Sequence, residues 1–433
     1  CHSVMAQPPQ ACAPCPAHYA VLQGAYARYT NTLIVLERAL YLAHANARTL
    51  LVDTQAMFPN NSKITQKYNP GTRSLADILQ VEPFRAACIC IDDVSTVPDV
   101  YRSVRSPPGT PGSSGVSWYG TQTPLSKFEH DTARIAVLAS GDLLFKHACT
   151  PGDFSRAFHR AFRFPECVEQ LASAYATSHF KGEPFIGLHL RADPSPTKQY
   201  DLKCFGKAPC DPSSAECPAE AFAAASNGCN MTTENVRGAA TTLWGARGAT
   251  AGEFVAAPPD LWMQKSSEAR RLIGDHRTHF MPLMVVNATG WYELMRGGKR
   301  EPKAAGAEAV PPRRRTRLQR IELPEACRAR AYPVDALQLD QALLARSDLF
   351  FGNWVSTFSS FVAKLRAARG LPLESSVLYW PPLPGAPRGV PPQGASFWAT
   401  CNSAAAHKRC VVSESGKRAS VALAYNKPEC SGL

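Results

Sequence analysis

The stretch Ser347–Gly370, SDLFFGNWVSTFSSFVAKLRAARG, decides the fold prediction for this chain. Its apolar run Leu349–Phe351 is typical of a buried strand in a parallel sheet, and Gly352 ends that run. Hydroxyl-bearing residues then predict the start of a helix, and basic residues with Gly370 predict its end. The apolar residues between them recur at helical spacing: Phe358, Phe361, Val362 and Leu365. A strand followed by a hydroxyl-rich helix start is where α/β folds bind phosphate, although an ordinary βα unit without a ligand has the same pattern.

The rest of the chain repeats this strand–helix alternation. With 433 residues it is longer than a single hydrophobic core usually grows. Near the start, a helical pattern separates the predicted strands His18–Gln23 and Thr49–Val52. We therefore predict an α/β protein with two domains, residues 1–181 and 182–370, followed by a tail at 371–433 that contains proline and cysteine.

The composition is that of a globular protein with a basic surplus. Hydrophobic residues make up 45% of the chain and charged residues 19%, and the formal net charge is +12. This surplus suits an anionic ligand such as a nucleotide, although we expect most of it to be solvated surface. The arginine-rich run 313–320 has no aromatic residues between its cations, so we expect no nucleic-acid partner. No apolar run reaches the ~18 residues that span a bilayer.

Fifteen cysteines indicate an oxidising compartment. We predict structural disulfides rather than a metal site, because the CxxC pair Cys12 and Cys15 has no second CxxC to complete a zinc site. The sequons at Asn60 and Asn230 lie in turn-like sequence and predict glycans. A start at Cys1 rather than Met predicts that a leader has been removed. Together these features predict the lumen of the endoplasmic reticulum or Golgi.

Three segments carry a resemblance to a known family: Ala27–Thr32 (ARYTNT), followed by an apolar helix and Arg48–Leu50; Phe185–Arg191 (FIGLHLR); and Asp340–Gly370. In this order and spacing they resemble the GDP-fucose protein O-fucosyltransferases, most closely the type that acts on EGF-like repeats. The corresponding family patterns are G-R-F-G-N-Q with N-R-T-L, a strand that ends in H-L-R, and D-x-F-I-G-N-x-V-S-S-F-T-x-F-V.

The resemblance implies a fold, a reaction and partners. The fold is of GT-B type, with two Rossmann-like domains that face a cleft. The reaction is an inverting transfer of fucose from GDP-fucose to a Ser or Thr hydroxyl of a secretory-pathway protein, such as a small disulfide-rich domain. It requires no cofactor or metal, and the sequence contains no D-x-D motif of the kind that holds a nucleotide-bound metal. We expect membrane contact only through an N-terminal anchor outside this sequence.

Two residues are predicted to be catalytic. Arg191 ends a rigid strand, and its guanidinium could fork onto the β-phosphate and the bridging oxygen as the diphosphate departs. The alternative for Arg191 is a salt bridge at the edge of the sheet. The resemblance places Asn31 at the reaction centre, and its alternative role is to cap the helix that follows.

The predicted donor-binding residues come from three parts of the chain. The resemblance places Asp340 against guanine, Arg28 beside the donor and His189 by the nucleotide, on the strand face that Arg191 shares. The alternative for His189 is an ordinary core residue, and that for Asp340 is a helix N-cap. The residues predicted to surround the diphosphate are Ser356, Thr357 and Phe358.

The sequence departs from the family pattern at several positions. Ala27 and Thr30 replace two glycines, and Gly290 stands where the family has Asp. Two alternatives therefore stay open. One is a fucosyltransferase that acts on a glycan or a cell-wall polysaccharide, and the other is a catalytically inactive GT-B protein that binds nucleotide or serves as a scaffold.

Overall fold

A computed structural model of the chain describes residues 12–24, 29–57, 74–106, 115–120, 125–189, 240–241, 244–256, 278–280, 284–286, 292–294, 325–328, 336–353, 357–372, 375–379 and 400–401. Among these, residues up to 57 together with 74–163 form one compact unit, and residues from 164 onward form a second.

The first unit is built on a five-stranded sheet. Its strands are β1 (Tyr19–Leu22), β2 (Thr49–Val52), β3 (Ile91–Asp93), β4 (Val116–Tyr119) and β5 (Ile135–Leu138). They lie in the order β3-β2-β1-β5-β4, and every neighbouring pair is parallel. The central strands are short apolar runs that are buried almost throughout, as expected inside a parallel sheet.

Helices connect these strands: α1 (Tyr29–Ala45), α2 (Thr54–Met57), α3 (Glu82–Ala86), α4 (Pro98–Arg105), α5 (Gly141–His147) and α6 (Gly152–Ala161). Three 3-10 segments (Leu75–Asp77, Val94–Thr96 and Leu125–His130) and the two-residue strand β6 (Cys149–Thr150) complete the unit. The buried Arg38 on α1 donates hydrogen bonds to the carbonyls of Leu144 and Phe145, so α1 holds the last turn of α5.

The second unit contains the remaining strands: β7 (Phe185–His189), β8 (Gly252–Ala256), β9 (Thr278–Phe280), β10 (Met284–Val286), β11 (Tyr292–Leu294), β12 (Leu349–Asn353), β13 (Ser376–Tyr379) and β14 (Thr400–Cys401). Five of them form a parallel sheet in the order β13-β12-β7-β8-β9. Counted along the chain within the unit, this is the 3-2-1-4-5 order of a Rossmann fold. The strands β10 and β11 form a separate antiparallel pair.

The helices of the second unit are α7 (Glu166–Phe180), α8 (Ala246–Thr250), α9 (Glu325–Arg328), α10 (Ala336–Arg346) and α11 (Thr357–Ala368). Three of them cover the face of the sheet to which Phe185 and His189 point. Phe180 of α7 stacks on Phe185, α10 packs against Gly187, and Ser359 of α11 bonds to His189.

Arg366 anchors α11 at the amino edge of this sheet. Its buried guanidinium donates to Ser376 Oγ at 2.9 Å, to the carbonyl of Asp348 at 3.1 Å and to the carbonyl of Ser347. These bonds satisfy a cation that would be costly to bury alone. They fix α11 against β12 and β13, with its first turn at the opposite, carboxyl edge.

The predicted α/β class with two Rossmann-like domains is confirmed, and several elements differ in extent. The helices α6 and α7 are separate: α6 ends at Ala161, and Pro165 occupies the N-cap position of α7. The helix α7 precedes the predicted boundary at 181/182 but packs within the second unit. The strand β13 lies in the predicted tail and pairs with β12. Six strands of the two five-stranded sheets were not predicted: β3, β4, β5, β8, β9 and β13.

Three disulfides are present among the described residues. Cys12–Cys88 and Cys15–Cys90 close nearly the same loop in the first unit, and Cys167–Cys327 joins α7 to α9 in the second. The predicted structural role of cysteine is thus confirmed at these six positions. No helix in the described parts of the chain is both long enough and apolar enough to cross a membrane.

Candidate nucleotide site

The strand order of the second sheet defines where a ligand is expected. Its first strand in sequence, β7, lies between β8 and β12. The chain proceeds outward from β7 to β8 and β9, and then crosses to β12 and β13 on the other side of β7, so the order of the strands reverses at β7. In open parallel sheets, ligands bind outside the carboxyl ends of the strands at this point of reversal. The residues at that edge are His189, which ends β7, and Asn353, which ends β12.

His189 is held by two contacts from α11. Its Nδ1 lies 2.7 Å from Ser359 Oγ, and its ring stacks on Phe358 with 4.2 Å between ring centroids and 26° between ring planes. The exposed fractions are 7% for His189, 8% for Phe358 and 0% for Ser359. The two predicted donor-binding residues His189 and Phe358 are therefore in direct contact, although they are far apart in sequence.

The first turn of α11 faces the same edge. Thr357 begins this twelve-residue helix and is followed by Phe358 and Ser359. The first backbone N–H groups of a helix have no partner within the helix and carry the positive end of its dipole. A diphosphate is the kind of ligand that these groups bind.

Close packing between β12 and α11 depends on Gly352. Leu188 pairs with Phe351, so the next residues, His189 and Gly352, stand side by side in the parallel register. A Cβ at position 352 would lie 2.7 Å from both Cβ and Oγ of Ser359. Glycine is needed here for space, so that the hydroxyl of Ser359 can reach His189.

Asp340 lies in the interior of α10, so the helix N-cap alternative for this residue is wrong. Gly187 faces Leu344, one helical turn after Asp340, and α10 runs toward the amino edge of the sheet. One turn back along the helix and two residues forward along β7 each cover about 6 Å. Asp340 is therefore near the level of His189.

Asp340 is 9% exposed, and its carboxylate is close enough to Tyr175 of α7 to act on the pKa of that residue. Burial, followed by the negative charge of Asp340, raises the pKa of Tyr175 above its usual value. Tyr175 therefore stays protonated beside the carboxylate.

Asn31 belongs to the first unit. It is the third residue of α1, because the helix begins at Tyr29, and it is half-buried. The helix therefore begins before Asn31, and Asn31 does not occupy the N-cap position that the capping alternative required.

The carboxyl edge of the first sheet is occupied by protein groups. A Cβ at Gly24, after β1, would lie 2.1 Å from the backbone nitrogen of Gly141. Nearby, the fully buried Asp53 accepts hydrogen bonds from Gln23 Nε2 at 3.1 Å and Arg105 Nη2 at 2.9 Å. Backbone and paired side chains fill the point of reversal in this sheet.

Several predicted features lie outside the described residues: Arg28, Arg191, Ser356, Gly290 and the sequons at Asn60 and Asn230. Their predictions stay predictions. Within the described ranges, His, Cys, Asp and Glu side chains form no group of three or more that could hold a metal ion.

Sequence reasoning missed the specific roles of Ser359 and Gly352. Ser359 was one of several hydroxyls at a helix start, and Gly352 was read only as the end of a strand. Their partnership with His189 depends on the parallel pairing of β7 and β12, which sequence patterns do not reveal.

No protein-family model and no curated protein matches the sequence. Similar solved structures include POFUT1 (protein O-fucosyltransferase 1) in complex with GDP, which is 14% identical, with 82% of this chain and 96% of that chain covered and a TM-score of 0.46. The fucosyltransferase NodZ from Bradyrhizobium is 13% identical, with 80% of this chain and 92% of that chain covered and a TM-score of 0.37. Both are fucosyltransferases, the enzyme class that the three sequence segments resemble.

Proposed function

We propose that the protein is an inverting glycosyltransferase that moves fucose from GDP-fucose to a Ser or Thr hydroxyl of a secretory-pathway protein. One observation carries the proposal. The reversal point of the second sheet brings together His189, Phe358 and the start of α11, three features that the motif resemblance had assigned to nucleotide binding. An ordinary βα unit does not require a histidine and a phenylalanine to stack at this edge.

The chemistry of the reaction fits such a site. The acceptor oxygen forms a bond to C1 of fucose as the bond from C1 to the β-phosphate oxygen breaks, and the hydroxyl proton is released. Negative charge develops on the departing diphosphate, so the catalytic need is for donors aimed at that phosphate. The amides at the start of α11 would supply some of them, and Thr357 would add a hydroxyl.

The two predicted catalytic residues complete the proposal. Arg191 follows His189 by two residues and would fork onto the β-phosphate and bridging oxygen, which a lysine could not do. Asn31, from the first unit, would act at the reaction centre beside Arg28. Asp340 would accept hydrogen bonds from guanine and so select GDP over other nucleoside diphosphates.

The compartment is proposed from the disulfides, and the acceptor from the motif resemblance. Three of them among the described residues favour folding in the lumen of the endoplasmic reticulum or Golgi. A protein acceptor in that compartment, such as a small disulfide-rich domain, would supply the hydroxyl.

The first test is donor binding and turnover by the purified chain. We expect GDP binding by calorimetry and release of GDP from GDP-fucose, and we expect Arg191→Ala to abolish turnover. His189→Ala should weaken GDP binding about 30-fold, or about 2 kcal/mol, because it removes the hydrogen bond and the ring contact that His189 would make with the nucleotide. Gln23→Ala, which removes a polar side chain from the corresponding edge of the first sheet, is the matched control and should leave GDP affinity unchanged.

Acceptor screening then separates the alternatives. Fucose incorporated into folded disulfide-rich domains, with loss on Ser or Thr substitution in the acceptor, supports the protein acceptor. Incorporation into oligosaccharides alone supports a glycan acceptor. GDP binding without turnover on any acceptor supports a nucleotide-binding protein without catalysis, and normal turnover by Arg191→Ala would exclude the role given to Arg191.

A further inference from the structure

We infer that Ser359 is a positioning residue of the nucleotide site, whose buried hydroxyl fixes the orientation of the His189 ring. The inference rests on the proposed function, since GDP is the ligand that the ring would serve. It assigns to the hydroxyl a task different from that of Ser356 and Thr357, which are proposed to face the diphosphate themselves.

The contacts of His189 with Phe358 and Ser359 restrain different motions of its ring. Stacking on Phe358, with 26° between the planes, limits the tilt of the ring. It does not prevent a ring flip, because a flipped ring stacks equally well. The 2.7 Å contact between Ser359 Oγ and Nδ1 does distinguish the two orientations, because a flip would replace that nitrogen by a carbon.

The hydrogen bond between Ser359 and His189 is buried, and it joins two distant parts of the chain. Ser359 is completely buried and His189 nearly so, and a hydrogen bond is stronger electrostatically where water is excluded. A serine in the first turn of a helix commonly bonds to nearby backbone. Here its hydroxyl bonds to a side chain 170 residues earlier in the chain.

The backbone is adapted to this contact. Gly352 stands beside His189, and any larger residue would bring its Cβ to 2.7 Å from Ser359. The absence of a side chain at position 352 therefore lets the first turn of α11 approach the end of β7. With Nδ1 engaged by Ser359, a hydrogen bond between this ring and a phosphate or ribose oxygen uses Nε2.

The experiment compares Ser359→Ala with Ser359→Thr. Calorimetric titration with GDP should show about fivefold weaker binding for the alanine variant, the size expected for one hydrogen bond, and binding within about twofold of wild type for threonine, which keeps the hydroxyl. In parallel, nitrogen-15 NMR of His189 without nucleotide should show one ring tautomer in the wild type and a mixture in the alanine variant.

Ser376→Ala is the matched control. Its buried hydroxyl also bonds to a side-chain nitrogen of the neighbouring structure, Arg366 Nε, but at the amino edge of the same sheet. It should lower the thermal unfolding midpoint about as much as Ser359→Ala does, and leave both GDP affinity and the His189 spectrum unchanged.

Each outcome separates the inference from the proposed function. If the wild type binds GDP and Ser359→Ala binds equally well, the inference is overturned while the proposed function stands. Absence of GDP binding by the wild type would overturn the proposed function. The tautomer measurement then still decides the role of Ser359: a mixture that appears only in the alanine variant supports it, and identical spectra overturn it.

Discussion

In the first sheet, backbone fills the point where the strand order reverses, whereas in the second sheet side chains occupy it. Gly24 lies against the backbone of Ser140 and Gly141, and the carboxylate of Asp53 beside them is paired with Gln23 and Arg105. In the second sheet, His189 meets a phenylalanine and a serine from the first turn of α11. The same parallel architecture thus serves packing in one unit and is suited to binding an anion in the other.

The two units also differ in their disulfides. In the first unit, Cys12–Cys88 and Cys15–Cys90 close loops of almost the same length, with sequence separations of 76 and 75. In the second unit, the single bridge Cys167–Cys327 closes a separation of 160. If a disulfide stabilises by restricting the unfolded chain, the two bridges of the first unit are largely redundant, because each closes nearly the same loop, whereas the bridge of the second unit closes a loop of its own.

The largest effect is therefore expected for the bridge of the second unit. Replacing Cys167 and Cys327 by alanine should lower the free energy of unfolding by about 5 kcal/mol, measured by urea denaturation. Removing either bridge of the first unit should cost only about 1 kcal/mol, because the other still closes the loop, and removing both should cost about 4 kcal/mol. Equal costs for one and for both removals would contradict the redundancy.

The next effect tests whether the first sheet is closed by backbone. Gly24→Ala should lower the free energy of unfolding by about 3 kcal/mol, because its Cβ would meet backbone atoms that cannot move aside independently. Gly120→Ala is the control, since a Cβ there would meet nothing within 4 Å. A Gly24→Ala variant as stable as Gly120→Ala would show that the edge is open enough for a ligand.

A smaller effect tests whether packing in the second sheet is linked to binding. Gly352→Ala should cost about 2 kcal/mol of stability and also weaken GDP binding, because it displaces Ser359 from His189. Gly252→Ala would place a Cβ 2.8 Å from the ring of Phe180, far along the same sheet face, and should cost stability alone. If both variants bind GDP as the wild type does, position 352 has no special relation to the site.

The smallest effects are in pH dependence, and they have opposite signs for His179 and Tyr119. Burial lowers the pKa of His179 in the second unit, so the neutral ring contributes stability above its unfolded pKa that is lost as the pH falls. Burial raises the pKa of Tyr119 in the first unit to about 12, so its stabilisation is lost as the pH rises above 10.

Urea denaturation at acidic, neutral and alkaline pH should show both losses of stability. His179→Gln should remove part of the acid loss only, and Tyr119→Phe part of the alkaline loss only. An unchanged acid slope in His179→Gln would contradict the assignment of that loss to His179.

Sequence patterns predicted those elements whose signals are local. The strand Thr49–Val52 was predicted with its observed bounds, and α11 begins and ends where its hydroxyls and Gly370 indicated. The strands β8 and β13 were missed because short runs such as Gly252–Ala256 show too little alternation of apolar and polar residues to be distinguished from loops. The capping alternatives weighed for Asn31 and Asp340 are wrong, because both residues lie inside helices whose first residues the sequence pattern did not locate.

What the sequence by itself determined is the class of fold and the kinds of side chain at the site. Hydrophobic periodicity and helix-end signals each depend on only a few neighbouring residues, so α11 and the strand before it could be predicted directly from the sequence. Only the tertiary structure decided which strand lies beside which. The pairing of β7 with β12 places Gly352 next to His189 and so brings Ser359 to its ring, and such pairing is fixed by the packing of the whole sheet rather than by any one segment.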